Sequence, residues 1–216
     1  AINAAGGNLY LQSTVDFDFR GRHYTSIRNG GTYQYERIFI DSLDTVRDVL
    51  DNKGFERFVN NNLTQVADTM AVKYAASVNS VLYFALLPYG LNDAAVNKTY
   101  LGESTLKGAS YHKIKVTFEQ DGGGEDYQDV FIYWVNQQTF TIDYLAYSYE
   151  EMDGVGSRFR EAYNVRNVNG IRFVDYVNYK YEGDEFALAD YDKAFEQGSL
   201  KKLSVIALEN VEVMLD

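Results

Sequence analysis

The 216-residue chain contains no cysteine, two histidines and a single proline, Pro88. Without cysteine, disulfides and cysteine-based metal sites or nucleophiles are excluded for these residues. His23 and His112 lie on separate predicted strands, and we interpret both as hydrogen-bonded structural histidines. The sequence also lacks the GxSxG, P-loop and HExxH motifs and a GxGxxG in a strand–helix context. We therefore expect no cofactor, no metal and no catalytic residues of these types.

Positive charge is scarce as well. The chain has 20 Lys and Arg residues against 31 Asp and Glu residues, which gives a net charge of −11. This balance disfavours non-specific nucleic-acid binding, because phosphates are neutralised by clusters of basic residues. It also disfavours peripheral binding to anionic membranes. The longest apolar run, Ser80 to Pro88, is far shorter than the roughly 20 residues that a membrane-spanning helix needs.

Aromatic residues are abundant, with 19 tyrosines and 13 phenylalanines, and these side chains favour strands. Apolar and polar residues alternate from Leu9 to Arg20, and Asn29-Gly30-Gly31 and Asn169-Gly170 are typical of hairpin turns. The pattern predicts about a dozen strands, the last over residues 203–213. Since most are joined by tight turns, they are antiparallel. We find no break in composition and predict a single domain over residues 1–216.

One helix stands out in this strand-rich chain. Apolar residues recur at steps of three and four along it, which predicts one apolar helix face: Val78, Val81, Leu82, Ala85 and Leu86. Pro88 and Gly90 are typical of the end of a helix. We predict a helix over residues 72–87 that packs on the sheet.

Two groups of acidic residues permit more than one interpretation. The carboxylates of Asp121, Glu125, Asp126 and Asp129 are the type of oxygen ligand that calcium prefers. The EF-hand spacing is absent, however, and three successive glycines in this turn fit a solvated hairpin tip better. Glu161 and Asp175 share strand faces with aromatic residues. They either pair with arginines on an exposed face or form a polar patch, inside a concave aromatic surface, that fixes the head group of a ligand.

Several long segments resemble a family of uncharacterised envelope proteins from Gram-negative bacteria, over nearly the whole chain up to Tyr181. The segments are SVNSVLYFALLPYGLNDAAVNKTYLGE, VFIYWVNQQTFTIDYLAYSY, SRFREAYNVRNVNGIRFVDYVNY, INAAGG, FDFRGRHY and TYQYER. In overall plan this family is similar to the lipoprotein-sorting carrier LolA and its relatives. The resemblance implies a mainly β (α+β) fold: a strongly curved antiparallel half-barrel of about 10–12 strands with a helix on its concave side.

The resemblance also implies a location and a type of ligand. LolA-like cavities accept acyl chains, so we expect a hydrophobic or amphipathic small-molecule ligand, no catalytic residues and a monomer. We expect export to the periplasm or outer membrane. The sequence begins at Ala1 without methionine, and we expect a removed signal peptide and an N-terminal lipid anchor that tethers the protein to the membrane.

We expect the ligand to lie between the concave sheet and residues 78–93. The candidate residues are Val78, Val81, Leu82 and Ala85 on the helix, Tyr89 and Leu91 as a gate, and Trp134, Tyr144 and Phe173 as the wall. Two alternatives remain open. One is a secreted hydrolase-type enzyme that uses paired carboxylates among Asp93, Asp143, Glu161 and Asp175, and the other is a structural interaction module with a filled core.

Overall fold

A computed structural model describes residues 1–151, 154–183 and 186–215. The described residues form fourteen strands in two antiparallel sheets of seven strands each. They divide into two compact units. We call Ile2–Tyr89, Arg166–Phe173 and Ala207–Asp216 the amino-terminal unit, and Gly90–Val165 with Val174–Ile206 the central unit. The prediction of a single domain over residues 1–216 stays a prediction.

The sheet of the amino-terminal unit is built from consecutive hairpins, and the last strand of the chain forms one of its two edges. Its strands are β1 (Gln12–Phe19), β2 (Arg22–Asn29), β3 (Thr32–Asp41), β4 (Asp44–Asp51), β5 (Gly54–Val59), β6 (Asn62–Thr64) and β14 (Glu209–Leu215), in the order β14-β1-β2-β3-β4-β5-β6. Helix α1 (Ile2–Ala5) and a 3-10 helix (Gly7–Leu11) precede them.

Helix α2 (Asp68–Ala85) packs on β3, β4 and β5. It begins four residues before the predicted start and ends two before the predicted end, because Leu86 and Leu87 already belong to the turn that leads into Pro88. Val78 and Leu82 are fully buried in a core with Phe17, Tyr24 and Phe173. The apolar helix face read from the sequence is therefore the face that meets the sheet.

The second sheet runs through the central unit. Its strands are β7 (Val96–Leu106), β8 (Ala109–Phe118), β9 (Val130–Asn136), β10 (Ile142–Glu151), β11 (Gly154–Val168), β12 (Ile171–Tyr181) and β13 (Leu200–Ile206), in the order β13-β12-β11-β10-β9-β8-β7. A 3-10 helix (Leu188–Asp190) and helix α3 (Tyr191–Glu196) complete the described elements. The core of this unit contains Trp134, Tyr144, Phe159 and Tyr191.

The mainly β, antiparallel fold class is confirmed. The described residues form fourteen strands instead of the expected 10–12, for two reasons. The strand β6 has only three residues, too few to show an alternating pattern, and one predicted strand is two strands in the structure. Residues 203–213, predicted as one strand, contain parts of β13 and β14, which belong to different sheets. Ala207 and Leu208 separate the two strands. Alternation is interrupted at this break by four apolar residues, Val205 to Leu208, and then by the polar Glu209 and Asn210, a signal that the prediction of one strand missed.

Candidate ligand-binding site

Three charged residues lie side by side on the core face of the first sheet. Arg37, Asp48 and Arg57 are direct cross-strand neighbours on β3, β4 and β5. Asp48 is 0% exposed and Arg37 is 3% exposed. A charge is stable at such depth only when it is paired and hydrogen-bonded. We call these residues the Arg–Asp–Arg triad.

The Asp48 carboxylate accepts hydrogen bonds from both arginines of the triad. Arg37 donates from Nε at 3.0 Å and from Nη2 at 2.6 Å, both to Oδ2. Arg57 donates from Nε to Oδ1 at 2.6 Å and from Nη2 to Oδ2 at 3.0 Å. Arg37 also donates from Nη1 to the Ser77 hydroxyl on α2, at 2.7 Å. The triad therefore joins three strands and the helix that covers them.

Arg57 also interacts with α2 at the end of the triad that faces the open edge of the sheet. Its guanidinium carbon lies 3.7 Å from the centre of the Tyr74 ring, a cation–π contact. The hydrogen bonds to Asp48 raise the pKa of Arg57, with a further hydrogen bond to Tyr74 acting in the same direction. The contacts with Asp48 and Tyr74 therefore hold the Arg57 guanidinium in place.

A cavity of about 400 Å³ opens beside Arg57, between strands β3 to β6 and the start of α2. Its volume is in the range of pockets that bind small molecules. Its wall is about half apolar and half polar. The apolar side chains are Val46, Val59, Val66, Ala67, Met70 and Tyr74. Its polar lining comes from Asp41, Asp44, Arg57, Thr64 and Gln65. We call it the edge cavity, and its walls suit an amphipathic molecule.

A second cluster lies at the other end of α2, around Arg28. The Arg28 guanidinium donates to the hydroxyls of Tyr89, at 3.0 Å, and Tyr35. It also lies over the Tyr89 ring, 4.2 Å from its centre. Burial raises the pKa of the Tyr35 hydroxyl, against the opposing effect of Arg28. Tyr89, which we expected to act as a gate, is therefore bound to the sheet by Arg28.

The structure brings six of the nine predicted site residues into one core. Val78, Leu82 and Phe173 are buried in the amino-terminal unit, and Val81, Ala85 and Tyr89 pack against the same core. Trp134 and Tyr144 belong to the core of the central unit, and Leu91 is a buried residue of that unit. That these nine residues line one ligand site stays a prediction.

Three of the four carboxylates of the enzyme alternative accept hydrogen bonds from neighbouring side chains. The Asp143 carboxylate accepts from Thr141 at 2.7 Å, and Asp175 accepts from Asn164 at 2.7 Å. Glu161 accepts from Lys107 and, at 3.2 Å, from the Tyr179 hydroxyl. Asp93 lies in the turn after Gly90, where its backbone N–H donates to the Gly90 carbonyl. Asp143 and Glu161 belong to the central unit and lie on the adjacent strands β10 and β11.

Sequence reasoning missed the Arg–Asp–Arg triad, although a signal for it was present. Each triad residue stands at the middle of an apolar strand face: Arg37 between Tyr35 and Phe39, Asp48 between Val46 and Leu50, and Arg57 between Phe55 and Val59. A charge in that position on three consecutive strands predicts cross-strand pairing. The pairing itself depends on the register, which the pattern of each separate strand leaves open.

Two further observations apply to the described residues alone. His, Asp and Glu side chains form no group of three there that could hold a metal ion. None of the helices in that part of the chain has the length and apolar character needed to cross a membrane.

Comparison with solved structures confirms the LolA-like fold. A LolA superfamily protein from Nitrosomonas europaea matches with a TM-score of 0.51 and 10% identity, over 98% of this chain and 90% of that chain. A domain described as an outer membrane lipoprotein-sorting protein, from Vibrio parahaemolyticus, matches with a TM-score of 0.46 and 7% identity, over 95% and 86%. The fold assignment is based on the first of these, and at such identity the likeness concerns the fold alone.

Sequence comparison gives the family. No curated protein matches the chain. A family model matches residues 32–207, and that family is described as one of unknown function. Since the match spans most of the 216 residues, the chain belongs to the DUF6503 family.

Proposed function

We propose that this protein binds a lipid or another amphipathic small molecule without catalysing a reaction. The observation that carries the proposal is the edge cavity, whose apolar wall of Val46, Val59 and Met70 adjoins the Arg57 guanidinium. Apolar surface beside positioned polar groups is what orients an amphipathic molecule in a binding site. The LolA-like fold supports the proposal as an analogy.

The proposal includes a place in the cell. Relatives of LolA-like fold suggest an envelope protein, and we propose that the chain acts as a monomer in the periplasm or at the outer membrane, tethered by an N-terminal lipid anchor. Cell fractionation of the full-length gene product tests this. Recovery in the cytoplasmic fraction would contradict it, whereas labelling by a radioactive fatty acid would support the anchor.

Ligand binding is tested with a fluorescent fatty acid and the purified protein. We expect saturable binding by the wild type and much weaker binding by Met70→Trp, because Met70 lines the edge cavity and a larger side chain there fills it. The matched control is Val72→Trp, on the same helix: Val72 is 43% exposed and Met70 37%, but Val72 is outside the cavity lining. Equal loss in both variants would contradict a ligand in the cavity.

The same assay distinguishes the edge cavity from the site at residues 78–93. If Tyr89→Phe and Leu91→Ala lower the affinity while Met70→Trp retains it, the ligand binds where the sequence pattern placed it. Thermal unfolding of each variant shows whether a loss of binding follows a loss of fold.

One observation favours a second candidate, the structural module with a filled core. Val78 and Leu82 of α2 are completely buried. Close packing therefore fills the space between the helix and the sheet that it covers. This candidate predicts that no apolar probe binds and that native mass spectrometry of the purified protein shows no co-purifying small molecule. A bound lipid in that spectrum would support the ligand-binding function instead.

A further inference from the structure

The edge cavity carries opposite charges at its two ends. Arg57 and Asp44 lie on the core face of the sheet, on either side of the cross-strand pair Val46–Val59. Along the strands they are four residues apart, which is roughly 13 Å. Asp41 pairs with Asp44 at the β3–β4 turn and lines the same end. An apolar segment therefore separates a cationic end from an acidic end.

The cationic end carries an excess of positive charge. The Arg–Asp–Arg triad contains two guanidinium groups and one carboxylate, and Asp48 is fully buried between them. Guanidinium groups pair best with carboxylates and phosphates through short, charge-assisted hydrogen bonds. An anion that enters the cavity and lies against Arg57 would neutralise this excess, because the triad and the anion together contain two cations and two anions.

The acidic end is more open to solvent. Asp41 and Asp44 are exposed, and Asp44 accepts a hydrogen bond from Asn60 Nδ2 at 2.6 Å. The Arg57 side chain is 15% exposed. A ligand that lies along the cavity therefore has its end near Arg57 more enclosed than its end near Asp44.

Given that the cavity binds an amphipathic molecule as proposed above, we propose that the ligand is a single-chain amphiphile with one small anionic head group, a carboxylate. It enters head first. The carboxylate lies against Arg57, and the chain crosses Val46, Val59 and Met70 and leaves past Asp41 and Asp44. A second anion at the far end of the chain is disfavoured, because it would face these two carboxylates.

The test measures the affinities of four probes of equal chain length by calorimetry: decanoate, 1-decanol, decyltrimethylammonium and decanedioate. We expect decanoate to bind at least about tenfold more tightly than decanol, the effect of one charge-assisted hydrogen bond. Decyltrimethylammonium and decanedioate should bind more weakly than decanoate.

Two variants identify the cation responsible. Arg57→Gln should reduce the affinity for decanoate to that for decanol, whereas Arg57→Lys should keep part of the preference. The matched control is Arg47→Gln. Arg47 is on β4, on the opposite face of the sheet, and pairs with Glu36 at 3.3 Å. Its replacement should leave all four affinities unchanged.

Each result decides one part of the proposal. If none of the probes binds, the ligand-binding function itself is wrong. If decanoate and decanol bind equally and Arg57→Gln changes neither, the function stands and the anionic head group is wrong. If decanedioate binds as tightly as decanoate, the role of Asp41 and Asp44 is wrong. The comparison of probes on the wild type remains decisive even if Arg57→Gln fails to fold.

Discussion

Arg57 lies directly opposite Asp48 on the neighbouring strand, and its guanidinium donates to both oxygens of that carboxylate, at 2.6 and 3.0 Å. Arg37 reaches the same carboxylate from the strand on the other side. The negative charge of Asp48 therefore compensates the positive charges of two arginines, one of which lines the edge cavity. The stability of the sheet and the position of the cation in the cavity depend on the same carboxylate.

Asp48→Asn should strongly destabilise the protein. The change keeps the shape of the side chain but leaves the buried Arg37 guanidinium and the partly buried Arg57 guanidinium without their anion, which costs about 3–5 kcal/mol of unfolding free energy. Urea denaturation measures it. Glu56→Gln on the neighbouring strand β5, at an exposed position, is the control and should change stability by less than about 0.5 kcal/mol. Similar effects of the two changes would contradict the role of the triad.

Leu82→Ala should cost about 2–5 kcal/mol, because Leu82 is completely buried between α2 and the sheet. Val72→Ala, at an exposed position of the same helix, should cost less than about 0.5 kcal/mol. Chemical denaturation compares the two variants. If Leu82→Ala lowers the stability no more than Val72→Ala does, the helix does not pack against the sheet in solution.

Asp192→Asn should destabilise the central unit by about 3–5 kcal/mol. Asp192 Oδ2 lies 3.0 Å from the buried Lys113 ammonium and accepts a hydrogen bond from Trp134 Nε1 at 3.3 Å. Trp134 is the only tryptophan of the chain, so its fluorescence reports unfolding at this position. The control is Asp190→Asn, whose partner Lys193 is exposed, and we expect a much smaller shift of the fluorescence transition. Equal shifts would indicate that the buried pair adds no stability.

Asp18 should contribute stability that depends on pH. Hydrogen bonds from Asn210 and then from His23 lower the pKa of Asp18 below its ordinary value. Since the folded-state pKa is depressed, the contribution is present above the unfolded-state pKa and is lost as the pH falls through the folded-state pKa. Asn210→Gly, which keeps the positive φ of that position, should therefore destabilise near neutral pH and lose most of this effect at an acidic pH at which Asp18 is protonated in the folded protein.

Denaturation curves of Asn210→Gly and the wild type at both pH values test this. In an Asp18→Asn background the effect of Asn210→Gly should become independent of pH, because the titrating group is gone. A pH dependence that persists in that background would assign it to another group.

Helix α2 shows what a single sequence can reveal. The spacing of Val78 and Leu82 identified the buried face, since a period close to 3.6 residues leaves one orientation with apolar contacts. The tight turns predicted antiparallel pairing in the same way, because Asn169-Gly170 and Gly30-Gly31 reverse the chain within two residues. These features are encoded locally, and the structure confirms them.

The candidate site depended on information that no single segment carries. Arg37, Asp48 and Arg57 each looked like an isolated charge in an apolar strand, and Glu161 and Asp175 looked the same from the sequence. Which charges meet is decided by strand register and order, and a shift of one residue would have turned Asp48 to the other face.

The sequence by itself determined the elements of this protein: antiparallel strands, one apolar helix and an absence of cysteine chemistry, since periodicity, turn residues and composition act over a few neighbouring residues. Tertiary structure decided the division of the strands into two sheets and the assembly of two arginines around Asp48. It also decided the cavity beside them, which Asp44, Arg57 and Met70 line from different strands and from the helix. The physical reason is that a buried charge and an apolar wall acquire their roles only from neighbours distant in the chain.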